Sequence, residues 1–583
     1  MSQLNLLESC EMDAVNRKPL LRLIDANRML VTVIAGLIPI VALGALIARY
    51  SVNVPFADEW VETAVLKGFS HFPTLKLLFS QHSEHRLAVT RLILYVSASI
   101  SGGDLRFCMV VTFAIAIFAS IMAMVLLRRT LGDDRSWQVW WVAINFLILS
   151  PVQYSNWFWA IQNQCIVSIA CLLSGLVAIQ VMRSTWMQTL LCMFLALIAA
   201  FSMTNGLMVA VLLPIAAVMH SRRESAARLA AWGVFILVLF IGFFHGWKRP
   251  TFGAADPNWC IHHPIIVAEY ILAFLGSCVS RGLGTLVCMV VGAIVLITWL
   301  GQCAYIVIHR RDRELVQKAI PWILVGVFAI ASAVMATSGR ARMGVSQAQA
   351  SRYTTTSVQM WVSAIALWAI LGARLPVGRL RRGTPPIRGL VVAGLLGSFF
   401  IAQVVSVFEL RREWAVRLRG QAGLELMNYP NSDALLLTLD PIVPDLRGAA
   451  INMNNLGRLQ PPILPPDHFD SVISTTAGQG DFQQSAVQAD GSIQLRGSAR
   501  LASGRPADCV VITRGGASHP PVIWMTPVAI SKPEIAEISS AGASPGSWTA
   551  SIPAQQLSAE NGPLLAWAFD ATTRTAYPLI ESR

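Results

Sequence analysis

Residues 29–60 read MLVTVIAGLIPIVALGALIARYSVNVPFADEW, an apolar run that leads into a loop with two adjacent carboxylates. The run Met29–Ala48 carries no charge and has the length of one membrane crossing, which needs about 20 apolar residues. Asp58 and Glu59 follow beside Trp60, and tryptophan favours the boundary between lipid and water. The stretch therefore predicts a membrane span that holds two acids close to one membrane surface.

The composition places the whole chain among membrane proteins. Of 583 residues, 55% are hydrophobic and 13% are charged, whereas soluble domains carry roughly 25% charged residues. These values exclude a soluble enzyme, a disordered chain and a fibrous protein. The net charge of +13 would suggest nucleic acid as the partner of a soluble protein. In a membrane protein it indicates arginines in cytoplasmic loops, so we expect the lipid bilayer and no nucleic acid as a partner.

Charge-free stretches predict about eleven transmembrane helices. Trp137–Met182 and Ser184–Ser221 are long enough for two crossings each, and each is interrupted by a short polar turn. Ile265–Ser280 is apolar but short and carries Glu269, so we predict an interfacial or re-entrant helix there. The single crossings are Met29–Ala48, Phe107–Leu127, Leu229–Trp247, Gly282–His309, Ala319–Gly339, Tyr353–Ala373 and Gly389–Phe408.

Arginine-rich connections set the predicted orientation. With eleven crossings these connections all fall on one side, which the positive-inside rule makes cytoplasmic. The N-terminal segment 1–28 is then cytoplasmic, the transmembrane part covers 29–408, and the first loop 49–106 and the C-terminal region 409–583 lie outside. The basic groups are Arg17–Arg28, Arg128–Arg135, Arg183, Arg222–Arg223, Arg310–Arg313 and Arg374–Arg388.

The acidic pair Asp58 and Glu59 is the first candidate for chemistry. A carboxylate at this surface can take the proton of an acceptor hydroxyl as a general base, and polar groups close to a membrane usually mark function. The structural alternative is that both acids hydrate the loop or pair with Arg86. The spacing leaves both interpretations open.

A second polar group lies further along the same loop. The stretch QHSEHR packs His82, Glu84, His85 and Arg86 together. If this segment is helical, the two histidines share one face because they are three residues apart. The pattern is not the HExxH spacing of zinc enzymes, and a metal site completed by Asp58 or Glu84 is the less favoured alternative. We expect a network that orients Asp58 or contacts the phosphate of a substrate.

Three arginines occur between the ninth and tenth predicted spans, in the acid-free stretch GRARMGVSQAQASRY. Arg340, Arg342 and Arg352 lie on the predicted outer side, where arginine is scarce. Guanidinium groups bind phosphate through paired hydrogen bonds. The loop therefore predicts a site for an anionic headgroup, formed by these arginines and the adjacent Tyr353. Pairing with the acids of the first loop is the structural alternative.

The C-terminal region has a different composition. Glu409–Leu424 predicts a charged helix that continues the last span, and proline-rich segments follow. From about residue 470, short alternating runs separated by Gly, Ser and Pro predict a small β-sandwich. Trp524, Trp548 and Trp567 suit carbohydrate binding, but each lies in an apolar alternation, which favours positions in the core of the sandwich.

The order of these features resembles the GT-C class of integral-membrane glycosyltransferases. In that class a short cytoplasmic N-terminus, one span, a large outer loop with an acidic pair, many further spans and an outer C-terminal domain follow one another. The motifs DEW at 58–60, HSEHR at 82–86 and SRY at 351–353 look like those of bacterial members of unassigned substrate. The likeness covers roughly residues 29–408.

The resemblance implies transfer of a sugar from a polyprenyl-phosphate donor to a lipid-linked or cell-surface glycan acceptor, on the periplasmic side of a bacterial inner membrane. Asp58 is then the general base, and Glu59 assists or binds a divalent cation if one is required. The loop arginines hold the departing phosphate and stabilise its growing charge.

Two other functions compete with this interpretation. A flippase or other transporter of lipid-linked oligosaccharide would carry charges inside its spans or an internal repeat, and the predicted spans have neither. A polysaccharide polymerase or ligase also binds polyprenyl-linked substrates through outward arginines. The acidic pair directly after the first span favours the glycosyltransferase.

Overall fold

The predicted cytoplasmic segment 1–28 lies outside the residues that the structure describes, and so do most of the arginines that set the predicted orientation. The orientation therefore stays a prediction. The computed structural model describes residues 29–132, 136–221, 225–250, 255–372, 386–485, 487–515, 520–530, 544–557 and 562–582.

The described chain is mainly helical. Its α-helices are, in chain order, α1 (Met29–Tyr50), α2 (Glu59–Val65), α3 (Leu75–Leu78), α4 (Ala88–Ser101), α5 (Leu105–Leu131), α6 (Trp137–Ile148), α7 (Tyr154–Phe158), α8 (Asn163–Val181), α9 (Thr185–Ala200), α10 (Leu207–His220), α11 (Ala226–Phe244), α12 (Pro257–His262), α13 (Pro264–Ser280), α14 (Thr285–Ile308), α15 (Arg313–Arg340), α16 (Ser351–Gly372), α17 (Pro386–Glu425), α18 (Asp433–Leu436), α19 (Val443–Asn455) and α20 (Ala554–Leu557).

Eight of these helices are long and apolar enough to cross a membrane. The two long apolar stretches divide into two helices each, as the sequence predicts. However, α6, α9 and α10 have only 12, 16 and 14 residues, because polar turns at Pro151–Phe158 and Thr204–Gly206 end them early. The structure therefore supports eight crossings by length, and the predicted eleven are not confirmed. The eight are α1, α5, α8, α11, α14, α15, α16 and α17.

The helices pack around α8, which is buried along nearly its whole length. The turn before α10 comes so close to α9 that a Cβ on Gly206 would lie 1.9 Å from the carbonyl oxygen of Ala199. Only glycine fits at such a contact. The tight turn fixes the neighbouring Thr204 at the end of the helix pair that faces the first loop, where it contacts His85.

The short apolar helix α13 folds back on α14. Close contacts at Gly276 and Gly292 bring the two helices together: a Cβ on Gly292 would lie 1.9 Å from the carbonyl oxygen of Leu272. Before α13, the Asp256 N–H donates to Ser338 O, and after it Arg281 pairs with Glu409. These contacts fix both ends of α13, and the expectation that it does not cross the membrane stays a prediction. Its buried second half shows that it is packed into the helix bundle.

Two four-stranded sheets form the end of the chain, and a two-stranded hairpin lies in the first loop. One sheet has the order β10-β3-β4-β7, with β10 parallel to β3, and the other has the order β6-β5-β8-β9 and is antiparallel throughout. The strands are β1 (Gln81–His82), β2 (His85–Arg86), β3 (Gln479–Gln484), β4 (Ile493–Arg500), β5 (Cys509–Arg514), β6 (Val522–Pro527), β7 (Ser547–Ile552), β8 (Leu564–Asp570), β9 (Thr575–Pro578) and β10 (Ile580–Glu581).

The two sheets share one apolar core and form the predicted sandwich. Phe482 and Leu495 of one sheet pack with Val510 and Ile512 of the other. The outer face of the second sheet packs against the C-terminal end of α17, which explains why β5 and β8 are buried on both faces. Trp548 lies in the core of the sandwich and Trp524 packs against it, as favoured from the sequence. Trp567 is buried on the other face of its sheet, in the contact with α17.

The first loop and the segment after α17 share a second apolar core. Trp60, Leu66 and Phe69 pack with Leu446 and Met453. The two regions therefore lie on the same side of the membrane, as predicted. Because α17 runs without a break from Pro386 to Glu425, the C-terminal region is a rigid continuation of the last span and supports the loop directly.

The contact between α13 and α14 gives a test of this packing. We expect Gly292→Ala to lower the melting temperature in detergent, because the added methyl group must push α13 away; overpacking typically costs about 1–3 kcal/mol. Gly301→Ala on the same helix is the matched control, since no atom lies within 4 Å of its Cβ position. Equal melting temperatures for the two variants would contradict the close contact.

Candidate functional site

Asp58 lies at the start of α2, in a backbone conformation fixed from the C-terminal region. The preceding Ala57 has φ +46°, and its N–H donates to the carbonyl oxygen of Leu439 at 2.8 Å. Asp58 and Glu62 are four residues apart and share one face of α2. Asp58 is 61% exposed, whereas the Glu62 side chain is fully buried.

The buried carboxylate of Glu62 is shared between Arg91 and His82. Arg91 Nε and Nη2 donate to Glu62 Oε2 and Oε1 at 2.6 and 3.0 Å. His82 Nδ1 lies 2.9 Å from Glu62 Oε1, and His82 Nε2 lies 3.8 Å from Asp58 Oδ2. Arg91 Nη1 donates to the carbonyl oxygens of residues 77, 78 and 80. The result is a chain of alternating charges, Arg91–Glu62–His82–Asp58, that ends at the surface.

These charges fix the protonation of the group. Burial disfavours a charged His82, but pairing with Asp58 and Glu62 outweighs burial and raises the pKa of His82 to about 9. In return His82 lowers the pKa of Asp58, with a smaller contribution from Arg352. Burial alone would raise the pKa of Glu62, but His82 and Arg91 lower it. At neutral pH an imidazolium therefore lies between two carboxylates.

Glu59 does not join this group, so its geometry does not support the predicted catalytic role. Its side chain points inward, where Oε2 accepts the N–H of Phe56 and Oε1 accepts the N–H of Ile161, both at 2.9 Å. Burial raises the pKa of Glu59 to about 7. Both oxygens accept backbone N–H groups, so Glu59 ties the first loop to the start of α8 and is buried away from the surface that Asp58 reaches.

The stretch QHSEHR forms a β-hairpin with a two-residue turn, and it is not a helix. β1 and β2 pair so that His82 stands directly opposite His85, and Ser83 in the turn has φ +50°. The two histidines still share one face, because opposite residues of antiparallel strands point the same way. Arg86 does not face the site: its guanidinium donates to carbonyl oxygens of Phe79, Phe243 and His245. The Arg86 side chain therefore anchors the end of α11, and its predicted substrate contact stays a prediction that these hydrogen bonds do not support.

Glu84 and His85 form a second layer beside the hairpin. His85 Nδ1 lies 2.6 Å from Thr204 Oγ1 and accepts the Thr204 N–H at 3.3 Å. Burial lowers the pKa of His85, and the charge on His82 adds to this effect. Glu84 lies 3.7 Å from His85 Nε2 and 3.5 Å from Arg340 Nη2. His85 is therefore the neutral member of the histidine pair.

The three predicted phosphate-binding arginines have different surroundings. Arg340 pairs with Glu84 at 3.5 Å, and Arg342 pairs with Asp256 at 3.1 Å. Within the residues that the structure describes, no carboxylate lies within 4 Å of the Arg352 guanidinium, which stacks 5.0 Å from the ring of Tyr353. Of the three arginines, Arg352 is therefore the one that lowers the pKa of Asp58 and has no carboxylate partner among the described residues.

Two residues before α8, Asn156 and Trp159, hold Arg352 and the first loop in place, and Trp157 binds within its own turn. Asn156 donates to the carbonyl oxygen of Arg352 at 3.1 Å. The indole N–H of Trp159 donates to Phe56 O, and that of Trp157 donates to Ser150 O. Trp159 therefore ties the first loop to this turn, and Trp157 stabilises the turn itself. The indole N–H of each tryptophan is engaged by a backbone carbonyl.

A divalent cation finds few free ligands here. In the described parts of the chain no three His, Cys, Asp or Glu side chains converge as a metal site. The pKa of His82 is raised to about 9, so its imidazole is protonated at neutral pH and cannot donate an electron pair to a metal. Asp58 is the open carboxylate of the group, and one carboxylate is a weak site on its own.

Sequence reasoning missed Glu62 and Thr204. The spacing of four residues between Asp58 and Glu62 was the available signal, because it places both on one face of a short helix. Thr204 belongs to a turn between two apolar stretches, and no local pattern connects that turn to His85, 119 residues earlier.

A scan of protein-family models finds no match for this chain, and a search of curated proteins finds none either. The class of the protein is therefore defined by its structure. Several long apolar helices make it a multi-pass membrane protein, with a buried charge network that ends at an exposed aspartate beside the membrane part.

The raised pKa of His82 predicts a stability that depends on pH. Its pairing contributes fully below the ordinary pKa of 6.5 and is lost as the pH rises through about 9, a change on the order of 3 kcal/mol. We expect the melting temperature of the wild type to fall more between pH 6 and 10 than that of His82→Gln. His71→Gln in the same loop is the control and should follow the wild type. Parallel curves for His82→Gln and wild type would refute the charged pairing.

Proposed function

We propose that the protein transfers a sugar from a polyprenyl-phosphate donor to a glycan or lipid acceptor at the membrane surface that carries the first loop. The observation that supports this most strongly is an exposed, deprotonated carboxylate whose pKa is lowered in part by an arginine, Arg352, that has no carboxylate within 4 Å among the described residues. Asp58 is ionised by its imidazolium neighbour, and Arg352 supplies positive charge close by. We infer that this surface is the periplasmic side of a bacterial inner membrane.

The proposed step needs a base and a phosphate-binding group. Asp58 accepts the proton of the acceptor hydroxyl while that oxygen forms a bond to the anomeric carbon. The bond between the anomeric carbon and the phosphate oxygen breaks, and the lipid phosphate leaves with the electron pair. Arg352 compensates the charge that grows on the phosphate.

The charge network gives Asp58 a fixed position. His82 is held from behind by the fully buried Glu62, which is itself held by Arg91. A base that is oriented before the substrate arrives does not have to be ordered during the reaction. His82, His85 and Glu84 are then positioning residues, and their contacts support the base without reaching the reacting atoms.

An exposed aspartate also separates this proposal from its competitors. A polymerase or ligase that relies on arginines has no need for Asp58, and a transporter would place its charges inside the spans. In the described parts of the eight long apolar helices, the charged residues lie near the helix ends or in the part of α17 that follows Phe408. The transferase therefore accounts for Asp58 and Arg352 together.

Asp58→Asn is the first test. Loss of a general base typically lowers the rate by ~10²–10⁴-fold, whereas the melting temperature should fall only in part, because Glu62 still pairs with His82. Glu59→Gln is the informative comparison: it should destabilise the protein, since a buried carboxylate with two backbone donors is lost. Transfer from a panel of polyprenyl-phosphate sugars in lipid is measured alongside melting. Normal turnover by Asp58→Asn would exclude the proposed base.

Arg352→Ala tests the phosphate site. A charged hydrogen bond is worth ~1.5–3 kcal/mol, so donor binding should weaken by roughly 10- to 150-fold. Arg352→Lys should restore only part of it, because an ammonium lacks the two-pronged geometry of a guanidinium. Arg342→Ala is the control, since Arg342 already pairs with Asp256. If Arg342→Ala weakens donor binding as much as Arg352→Ala, the site has been assigned to the wrong arginine.

A further inference from the structure

A large cleft lies between the membrane helices and the β-sandwich, apart from the group around Asp58. Its volume is about 1060 Å³, and its walls come from the end of α1, the turn between α13 and α14, α17 and the loop before β5. Asp58, His82 and Arg352 do not line it. The cleft is therefore a second candidate site at the same membrane surface.

The walls of this cleft carry an excess of positive charge. Two of its arginines are paired with carboxylates: Arg281 with Glu409 at 2.8 Å and Arg505 with Asp508 at 2.6 Å. Arg49, Arg411 and Arg412 have no carboxylate within 4 Å in the parts of the chain that the structure describes. The arginines of the cleft are Arg49, Arg281, Arg411, Arg412, Arg419 and Arg505.

Aromatic side chains hold several of these guanidinium groups in place. Arg49 lies 5.0 Å from the ring centre of Trp414, and Arg505 lies 5.5 Å from it. Arg411 Nε donates to the hydroxyl of Tyr50 at 3.1 Å. Stacking orders a guanidinium while its N–H groups stay available. The guanidinium groups of Arg49 and Arg411 are thus ordered at the wall of the cleft.

Apolar helix surface leads directly to the cleft. Phe408 lines it and is 60% exposed, and Val404 and Phe400 continue the exposed face of α17 toward the membrane. α1 carries a similar exposed face, with Leu37 and Val41. A molecule with an apolar chain can therefore lie along these helices and place its head among the arginines.

We propose that the cleft binds the phosphate-bearing headgroup of an anionic membrane lipid, with its apolar chain along the exposed face of α17. Free arginines at the boundary of an apolar band fit a lipid phosphate better than a dissolved anion, because the band contributes to binding only when the phosphate has a chain attached. This site goes beyond the proposed sugar transfer and does not depend on it.

The test uses purified full-length protein in a neutral detergent and three probes: fluorescent phosphatidic acid, fluorescent phosphatidylcholine and inorganic phosphate as a competitor. We expect phosphatidic acid to bind at least ~10-fold more tightly than phosphatidylcholine and to bind more weakly as salt increases. Inorganic phosphate should compete only at concentrations far above those of the lipid. Equal binding of the two lipids would overturn the proposal, and competition by phosphate at lipid-like concentrations would show a free-anion site instead.

Two variants locate the binding. Arg412→Gln should weaken phosphatidic acid binding several-fold, and Arg411→Gln combined with Arg412→Gln should weaken it at least ~10-fold. Arg496→Gln on the sandwich is the matched control, because Arg496 is exposed and lies outside the cleft. If the double variant loses thermal stability, phosphatidic acid binding by Arg412→Gln alone decides whether the site is correct. Unchanged binding in Arg412→Gln and the double variant would refute the site.

Discussion

The carboxylate of Glu62 is the interaction on which the rest of the site depends. It is fully buried, and it is stable as an anion because Arg91 donates two hydrogen bonds and His82 lies 2.9 Å away. Leaving either cation without this carboxylate would bury an unpaired charge, which typically costs 3–5 kcal/mol. The same carboxylate keeps His82 protonated, and protonated His82 keeps Asp58 ionised at the surface.

The network can form only because the first loop is enclosed. On one side it packs against the segment after α17, which also accepts the backbone hydrogen bond of Ala57 through Leu439. On the other side Glu59 binds the start of α8. The hairpin that carries His82 is tied to Thr204. The position of Asp58 is thus set by parts of the chain that are far apart in sequence.

The sequence was informative where physical signals are local. Apolar runs predicted the long helices, and alternating runs with Gly and Pro turns predicted the small β-sandwich, because burial on one face leaves a periodic pattern. The helix count was less accurate, since a composition without charges does not show where a turn such as Thr204–Gly206 ends a helix. The site was only partly predicted. Asp58 and His82 come together as expected. Adjacency in sequence suggested Glu59 as the second acid of the site, whereas helical spacing places Glu62 there. The three arginines of the later loop look alike in sequence but differ in their partners.

The most direct measurement is a structure of the protein in lipid with a non-hydrolysable polyprenyl-phosphate sugar bound. The account predicts the donor phosphate within hydrogen-bonding distance of the Arg352 guanidinium, with the anomeric carbon facing Asp58 and room for an acceptor hydroxyl between them. A phosphate held by other residues, with Asp58 remote from the sugar, would contradict it.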